Sequence, residues 1–565
     1  MKRKQVITFL LTMSLATGTL TGCGLSVKSD TSVLPAKPAA MATEMPTADV
    51  NEPELYDYES EATCEEAACE DSASDYMAFS ESAAPAGNTA AYKEAATFDK
   101  SFEESGSYLD DIYGLKVDHD ANSEEYSDLE EIGFKSTKRS PLSTFAADVD
   151  TASYSNMRRM IMDGYSLNDF PEGSIRIEEL INYFNYDYKD PKGKEPFGVT
   201  TVIGDCPWND EAKLLSIGLK TEDIDFADTP ASNLVFLIDV SGSMFSDDKL
   251  PLLQDAFCIL ADQLGEKDRV SIVTYAGCDS VVLEGISGDQ GRKIKRAINN
   301  LEAGGSTNGS AGIMTAYELA EDFFIKGGNN RVILATDGDL NVGLTSVGEL
   351  EDLISEKKKS GVFLSVLGFG SGNIKDNKME TLADKGNGNY AYIDSMREAK
   401  KVLVKELSAN MLTVCKDVKF QVEFNPEDVE KYRLIGYSNR VMANKDFNDD
   451  TKDGGEIGAG HTVTALYELI LDEDSDDDIL DLSIRFKRPS SNKSELLTYP
   501  VDYRSYKEEP GDDFYFQSAV AQFGLIASHS EYPEDASIRD VKRILKSIDL
   551  NDEYKEEFYE LICQL

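Results

Sequence analysis

A chain of 565 residues that is 41% hydrophobic and 9% aromatic is long enough for more than one core, since single cores stop growing well below that length. Its 104 Asp and Glu against 56 Lys and Arg give a formal charge of −48, which argues against nucleic acid as a partner and repels an anionic lipid surface.

The first elements are addresses rather than fold. The basic stretch MKRKQ precedes an apolar run, residues 6–20, that is too short to stay in a bilayer, which is the pattern of an export signal over residues 1–22. Leu20, Thr21, Gly22 and Cys23 resemble the lipobox of bacterial lipoproteins. That resemblance implies a mature chain starting at an acylated Cys23, held by lipid on the extracytoplasmic side of the cell membrane. Seven further cysteines remain, Cys64, Cys69, Cys206, Cys258, Cys278, Cys415 and Cys563; the odd number leaves at least one unpaired, and the chain does not read as a disulfide scaffold. Residues 23–140 are biased toward Ala, Ser, Glu, Asp and Pro with no sustained apolar period, as expected of an acidic, disordered tether.

Order is expected from residue 141. In TFAADVDTASYSNMRRM, Asp150 or Thr151 can cap a helix, and IRIEELINYFNYDY carries a second. The string DVDTA superficially resembles the nucleophile motif of haloacid dehalogenase phosphatases, but Ala152 stands where that motif needs Thr, so Asp148 and Asp150 are expected to be turn residues. Two strands follow in FGVTTVIGD and KLLSIGLKT. From 232 to 407 the pattern changes to short apolar runs, NLVFLIDV, DRVSIVTYAG, NNRVILATDG, VFLSVLGFG and NYAYI, separated by helical segments. This alternation predicts an α/β, Rossmann-like domain with a mostly parallel sheet. Period-two strands return over 408–505, and 506–565 reads as three helices. The strands before 232 are too few to close a sheet of their own. They are therefore expected to join those after 408, making the α/β unit an insertion in a β-sandwich.

Loops that follow parallel strands meet at the carboxyl edge of the sheet, where such folds bind ligands. There VFLIDVSGSM supplies Asp239, Ser241 and Ser243, the loop AGGSTNGSAG supplies Thr307, and RVILATDG ends in Asp337. Two carboxylates and three hydroxyls, with no His or Cys, suit Mg²⁺, Mn²⁺ or Ca²⁺ and not Zn²⁺. The D-x-S-x-S, Thr and Asp set resembles the metal-ion-dependent adhesion site of the von Willebrand factor A domain. The resemblance implies direct ligation by the serines and the threonine, with Ser306 beside Thr307 as the alternative in that loop, and ligation by the aspartates directly or through water; two carboxylates balance the charge of a divalent ion and leave a last coordination position open to a protein partner's Asp or Glu. The flanks TFAADVDTASYSNMRRM, IRIEELINYFNYDY, EIGAGHTVTALYEL and FQSAVAQFGLIASHSEYPEDAS look like those of a family of bacterial lipoproteins built around one such domain.

These features predict a binding protein and not an enzyme, because the α/β domain holds no His and shows no nucleophile–base pair. The alternatives are an envelope scaffold whose metal is only structural and, with less support, a metal-assisted hydrolase. The acidic turn LDEDSDDDILD fails as a calcium loop, since Asp477 falls where Gly is required and Ser483 where a bidentate Glu is required. His461 is expected to be structural. In integrin-type A domains the last helix shifts when the site takes a ligand. Here MREAKKVLVKELSANM runs almost directly into VCKDVKFQVEF, so such a shift would pull on the sandwich.

Overall fold

The computed structural model describes residues 123–305, 309–338, 347–472, 478–533 and 536–565. The export signal, Cys23, Cys64, Cys69, the tether up to residue 122, Thr307 and residues 473–477 of the acidic turn lie outside them.

Strands β1 (Lys135–Ser136) and β2 (Leu142–Ala146) open the ordered chain, two helices follow (Ala152–Met162 and Ile177–Asn182), and β3 (Phe197–Asp205) and β4 (Lys213–Thr221) come next. The central domain holds β5 (Ser232–Asp239), β6 (Arg269–Tyr275), β7 (Asp279–Ser287), β8 (Asn329–Thr336), β9 (Val362–Phe369) and β10 (Tyr390–Ile393). After it come β11 (Thr413–Phe424), β12 (Val429–Ile435), β13 (Gly455–Gly458), β14 (Thr462–Leu471), β15 (Asp478–Lys487) and β16 (Ser494–Asp502), then helices Asp512–Ala527, Ile538–Ser547 and Glu553–Gln564.

The central sheet has the order β10-β9-β8-β5-β6-β7 and is parallel except at β7. Its inner strands are apolar runs because helices cover both faces: Leu234, Phe236 and Ile238 enter one core with Phe257 and Leu260, while Val235 and Leu237 enter the other with Tyr317 and Ile313. Around it, β4 pairs with β14 along Lys213–Lys220, joining the strands before the insertion to those after it in the sheet β1-β12-β14-β4-β3. The facing sheet is built on β11, which pairs with β15, β13 and β2. One core, including Phe145, Ile217, Phe420, Tyr467 and Phe486, fills the space between the two sheets. The α/β domain is thus inserted in a β-sandwich.

The helices before and after the insertion do not form separate regions. Tyr154, Phe184, Phe516, Phe523 and Phe558 share one aromatic core, which also takes in Leu214 of β4 and Leu466 of β14. Tyr188 reaches this junction by lying on Gly218, where a Cβ would stand 2.2 Å from its ring, and its hydroxyl meets Thr464 at 2.7 Å.

Three differences from the sequence reading have physical causes. Residues 123–140, expected in the tether, are ordered: Ser123 N–H donates to Gly372 O at 2.9 Å and Glu125 N–H to Ile374 O at 2.8 Å, and β1 pairs with β12. Neither Asp150 nor Thr151 caps the first helix. Thr151 makes no side-chain capping bond, Asp150 accepts from Tyr390 N–H at 2.9 Å and from Arg440, and Glu179 of the next helix takes the free Ser153 N–H at 2.8 Å. The stretch 396–411 is a helix in three parts, Met396–Lys400, a π-helical turn Lys401–Lys405 and Leu407–Met411, followed after the single residue Leu412 by β11.

Among the described residues no helix is long and apolar enough to cross a membrane, and Cys206, Cys258, Cys278, Cys415 and Cys563 are free thiols.

Candidate metal centre

The register of the central sheet assembles the site. Ile238 lies opposite Ala335, so Asp239 at the end of β5 comes beside Thr336, with Asp337 one residue further along the same edge. Asp239 and Asp337 are both 0% exposed. The Asp239 carboxylate accepts from Ser241 N–H at 2.9 Å and from Thr336 Oγ1 at 3.2 Å, an Asx turn that directs the chain out of the strand. Ser241 and Ser243 then stand with their hydroxyls 2.9 Å apart, and Ser243 also hydrogen-bonds to Asp337. Glycine serves the turn itself: Gly242 N–H donates to Gly305 O at 3.1 Å and Gly304 N–H to Val240 O at 2.8 Å. The loop bearing Thr307 is thereby tied to the D-x-S-x-S turn up to Gly305, two residues before the threonine, which itself lies outside the described residues.

The two carboxylates differ in their electrostatics. Burial pushes Asp239 up to about 6, helped by the charge on Asp337, although the hydrogen bonds from Ser241 and Thr336 act against it. Burial acts on Asp337 in the same direction but is outweighed by the Lys249 ammonium and by hydrogen bonds from Asn373 and Ser243, so this group lies below the usual carboxylate range.

Sequence reasoning missed Lys249 and Asn373. Lys249 Nζ lies 3.0 Å from Asp337 Oδ2 and 2.8 Å from Asn373 Oδ1. Asn373 sits in the loop after β9, the loop that Ser123, Glu124 and Glu125 hold in place. Nothing local marks either residue, because DDKLP reads as a charged helix start and its partner is 88 positions away.

Asp239, Ser241, Ser243 and Asp337 therefore converge, and their donors fit a hard divalent cation. Among the described residues no group of three His, Cys, Asp or Glu side chains could hold a metal, so any ion here must draw on the hydroxyls as well. His461 is remote from this edge: Gly458 N–H donates to its Nδ1 at 3.3 Å, and burial with the Lys401 charge pushes it down to about 4. Asp148 and Asp150 both serve Arg440.

Comparison with known proteins agrees with this architecture. The family profile described as von Willebrand factor type A domain matches residues 233–406, that described as von Willebrand factor matches 120–216, and that described as Uncharacterized protein YfbK, C-terminal, matches 409–477 and 471–565. The chain is 40% identical over 477 residues to Uncharacterized protein YfbK of Escherichia coli (strain K12), covering 79% of this chain and 82% of that protein. It is 24% identical over 237 residues to the magnesium-chelatase 67 kDa subunit of Chlorobaculum parvum, covering 37% of this chain and 38% of that one. The solved von Willebrand factor type A structure from Catenulispora acidiphila superposes with a TM-score of 0.39 at 13% identity, over 67% of this chain and 91% of that one. The chain belongs to the YfbK family of proteins with a von Willebrand factor type A domain.

Proposed function

We propose that this protein is a non-catalytic, membrane-anchored extracytoplasmic binding protein that engages a protein partner through a divalent ion, Mg²⁺ or else Mn²⁺ or Ca²⁺. Asp239, Ser241, Ser243, Thr307 and Asp337 would hold the ion, which when bound supplies an electrophilic centre for an Asp or Glu carboxylate of the partner. The observation that carries the reading is the convergence of two buried carboxylates on a pair of serine hydroxyls 2.9 Å apart at the carboxyl edge of the sheet. The chain's own residues account for the rest of the grip. β5 is a rigid base, the Asx turn aims Ser241 and Ser243 at one point, and Phe245, 81% exposed two residues beyond Ser243, offers apolar contact area at the rim. Anchoring rests on Cys23 and the acylation its flanking residues imply.

A pull-down from envelope extract tests the binding. Capture is expected with Mg²⁺ or Mn²⁺, to be lost in EDTA, and to be lost in Asp239→Ala with the fold retained; a partner captured equally well in EDTA would sink the proposal. Detergent phase partition of the wild type against Cys23→Ser tests the anchor, and equal partition of the two would remove it.

A further inference from the structure

Lys249 is built into the centre rather than resting on its surface. It directly precedes helix Leu250–Ala261, its side chain is 9% exposed, and its ammonium is shared between Asp337 and Asn373. Its stem lies against Gly370, whose φ of +75° and missing Cβ leave the space it fills; a Cβ there would stand 2.2 Å from Lys249 Cγ. An ion held by Asp337 must therefore share that carboxylate with a fixed positive charge.

We propose that Lys249 is a resident counter-ion that weakens the site's hold on a bare divalent cation and makes the loaded site require an anionic ligand. The inference rests on the metal reading above. With Asp239 and Asp337 ionised, Lys249 brings the formal charge of the trio to about −1, so a divalent ion leaves a surplus of about +1, where the two aspartates alone would leave none. A carboxylate from a partner removes the surplus. Metal and carboxylate then strengthen each other's binding, and linkage makes that coupling reciprocal. The lysine thus turns a metal site into one that is best filled when ion and acidic ligand arrive together.

The test is Mn²⁺ binding to the detergent-solubilised full-length chain, followed by electron paramagnetic resonance, with and without acetate as the carboxylate probe. Lys249→Met and Lys249→Gln are expected to bind Mn²⁺ at least about tenfold more tightly than wild type, and acetate should tighten Mn²⁺ binding in wild type but barely in either variant. Lys249→Arg, which keeps the charge, should behave as wild type. A lysine of purely structural value would, when replaced, weaken both binding events or change neither. Folded Met and Gln variants whose Mn²⁺ affinity is within about twofold of wild type, or weaker, would overturn the proposal. If wild type binds Mn²⁺ in a way that Asp239→Ala abolishes and the Lys249 variants match it, only the counter-ion role falls; if wild type takes up no Mn²⁺, the metal reading falls as well.

Discussion

Arg158→Met probes how the A domain is fastened to the rest of the chain. The Arg158 guanidinium, 2% exposed, meets Asp394 at 2.5 and 2.7 Å, Glu398 at 2.8 Å and Glu557 at 2.9 Å. Two of these carboxylates belong to the end of the A domain and the third to the last helix of the chain. Removing the cation leaves three acids in a site where Asp394 is 7% and Glu398 1% exposed. Breaking a buried ion pair from one side costs about 3 to 5 kcal/mol. Protonation offers an escape of similar size: neutralising one aspartate at pH 7 costs about 1.36 kcal/mol for each of roughly three pK units, about 4 kcal/mol, and under 2 kcal/mol at pH 5. Methionine should therefore destabilise by about 4 kcal/mol at neutral pH and by about half of that near pH 5. If the roughly 425 described residues melt as one unit, the entropy of unfolding is about 0.9 kcal/mol per kelvin, so Tm should fall by about 4 to 5 °C at pH 7. Calorimetry at both pH values checks this. A loss below about 1 kcal/mol, or one of equal size at pH 5 and 7, would refute the reasoning that unpaired charge, rather than lost packing, sets the cost.

His461 is neutral in the fold, with its pKa pushed down to about 4 from an ordinary 6.5. The unfolded chain therefore takes up the proton first as pH falls, and this residue's share of stability is lost between about pH 6.5 and 4; allowing for partial exposure, His461→Asn should flatten the profile in that window by about 2 kcal/mol in urea titrations, and parallel profiles would contradict it. Gly218→Ala should cost about 1 to 3 kcal/mol by driving a methyl into the Tyr188 ring, read as a lower urea midpoint with an unchanged m-value. Hydrogen exchange over residues 396–426 should change when Mg²⁺ and an acidic ligand are added together, since only Leu412 separates the last helical turn from β11; identical exchange would reject movement of the sandwich by the site.

What could be read before folding followed from local physics. Strands covered on both faces are continuous apolar runs, so β5, β8 and β9 stood out, and the sandwich strands showed their alternation. The edge strand β7 did not, because Val281 and Val282 are 45% and 36% exposed and the segment has no buried period to show. Helix Asp376–Lys385 carries a weak period of its own, since Met379, Leu382 and Ala383 are its only buried apolar residues. Of the candidate centre, Asp239, Ser241, Ser243 and Asp337 could be read because each sits at a strand end. Lys249 could not, since its meaning comes from Asp337 and Gly370 in other loops. The arginines at the domain junctions share that limit, as Arg158 finds Asp394 236 positions away and Arg440 finds Asp148 292 positions away and Asp384 56 away.

Those arginines also define what lies between the site and the last helix. Arg159 holds Glu124 at 3.1 Å, and Glu124 accepts from Gly372 N–H in the loop that carries Asn373 to Lys249. The preceding residue, Arg158, holds Asp394 and Glu398 at the start of the last A-domain helix. Adjacent residues of one buried helix therefore brace both the loop beside the metal centre and the element that leads into the sandwich. Nearly every residue from Ala152 to Ile161 is buried, so this helix is a rigid strut. A coupling element must have two arrangements; beyond the strut, the π-helical turn Lys401–Lys405 is where the last A-domain helix already departs from α geometry. Relaxing that turn to α geometry would advance the residues beyond it by about one position, about 1.5 Å along the axis, and β11 would take up the shift directly.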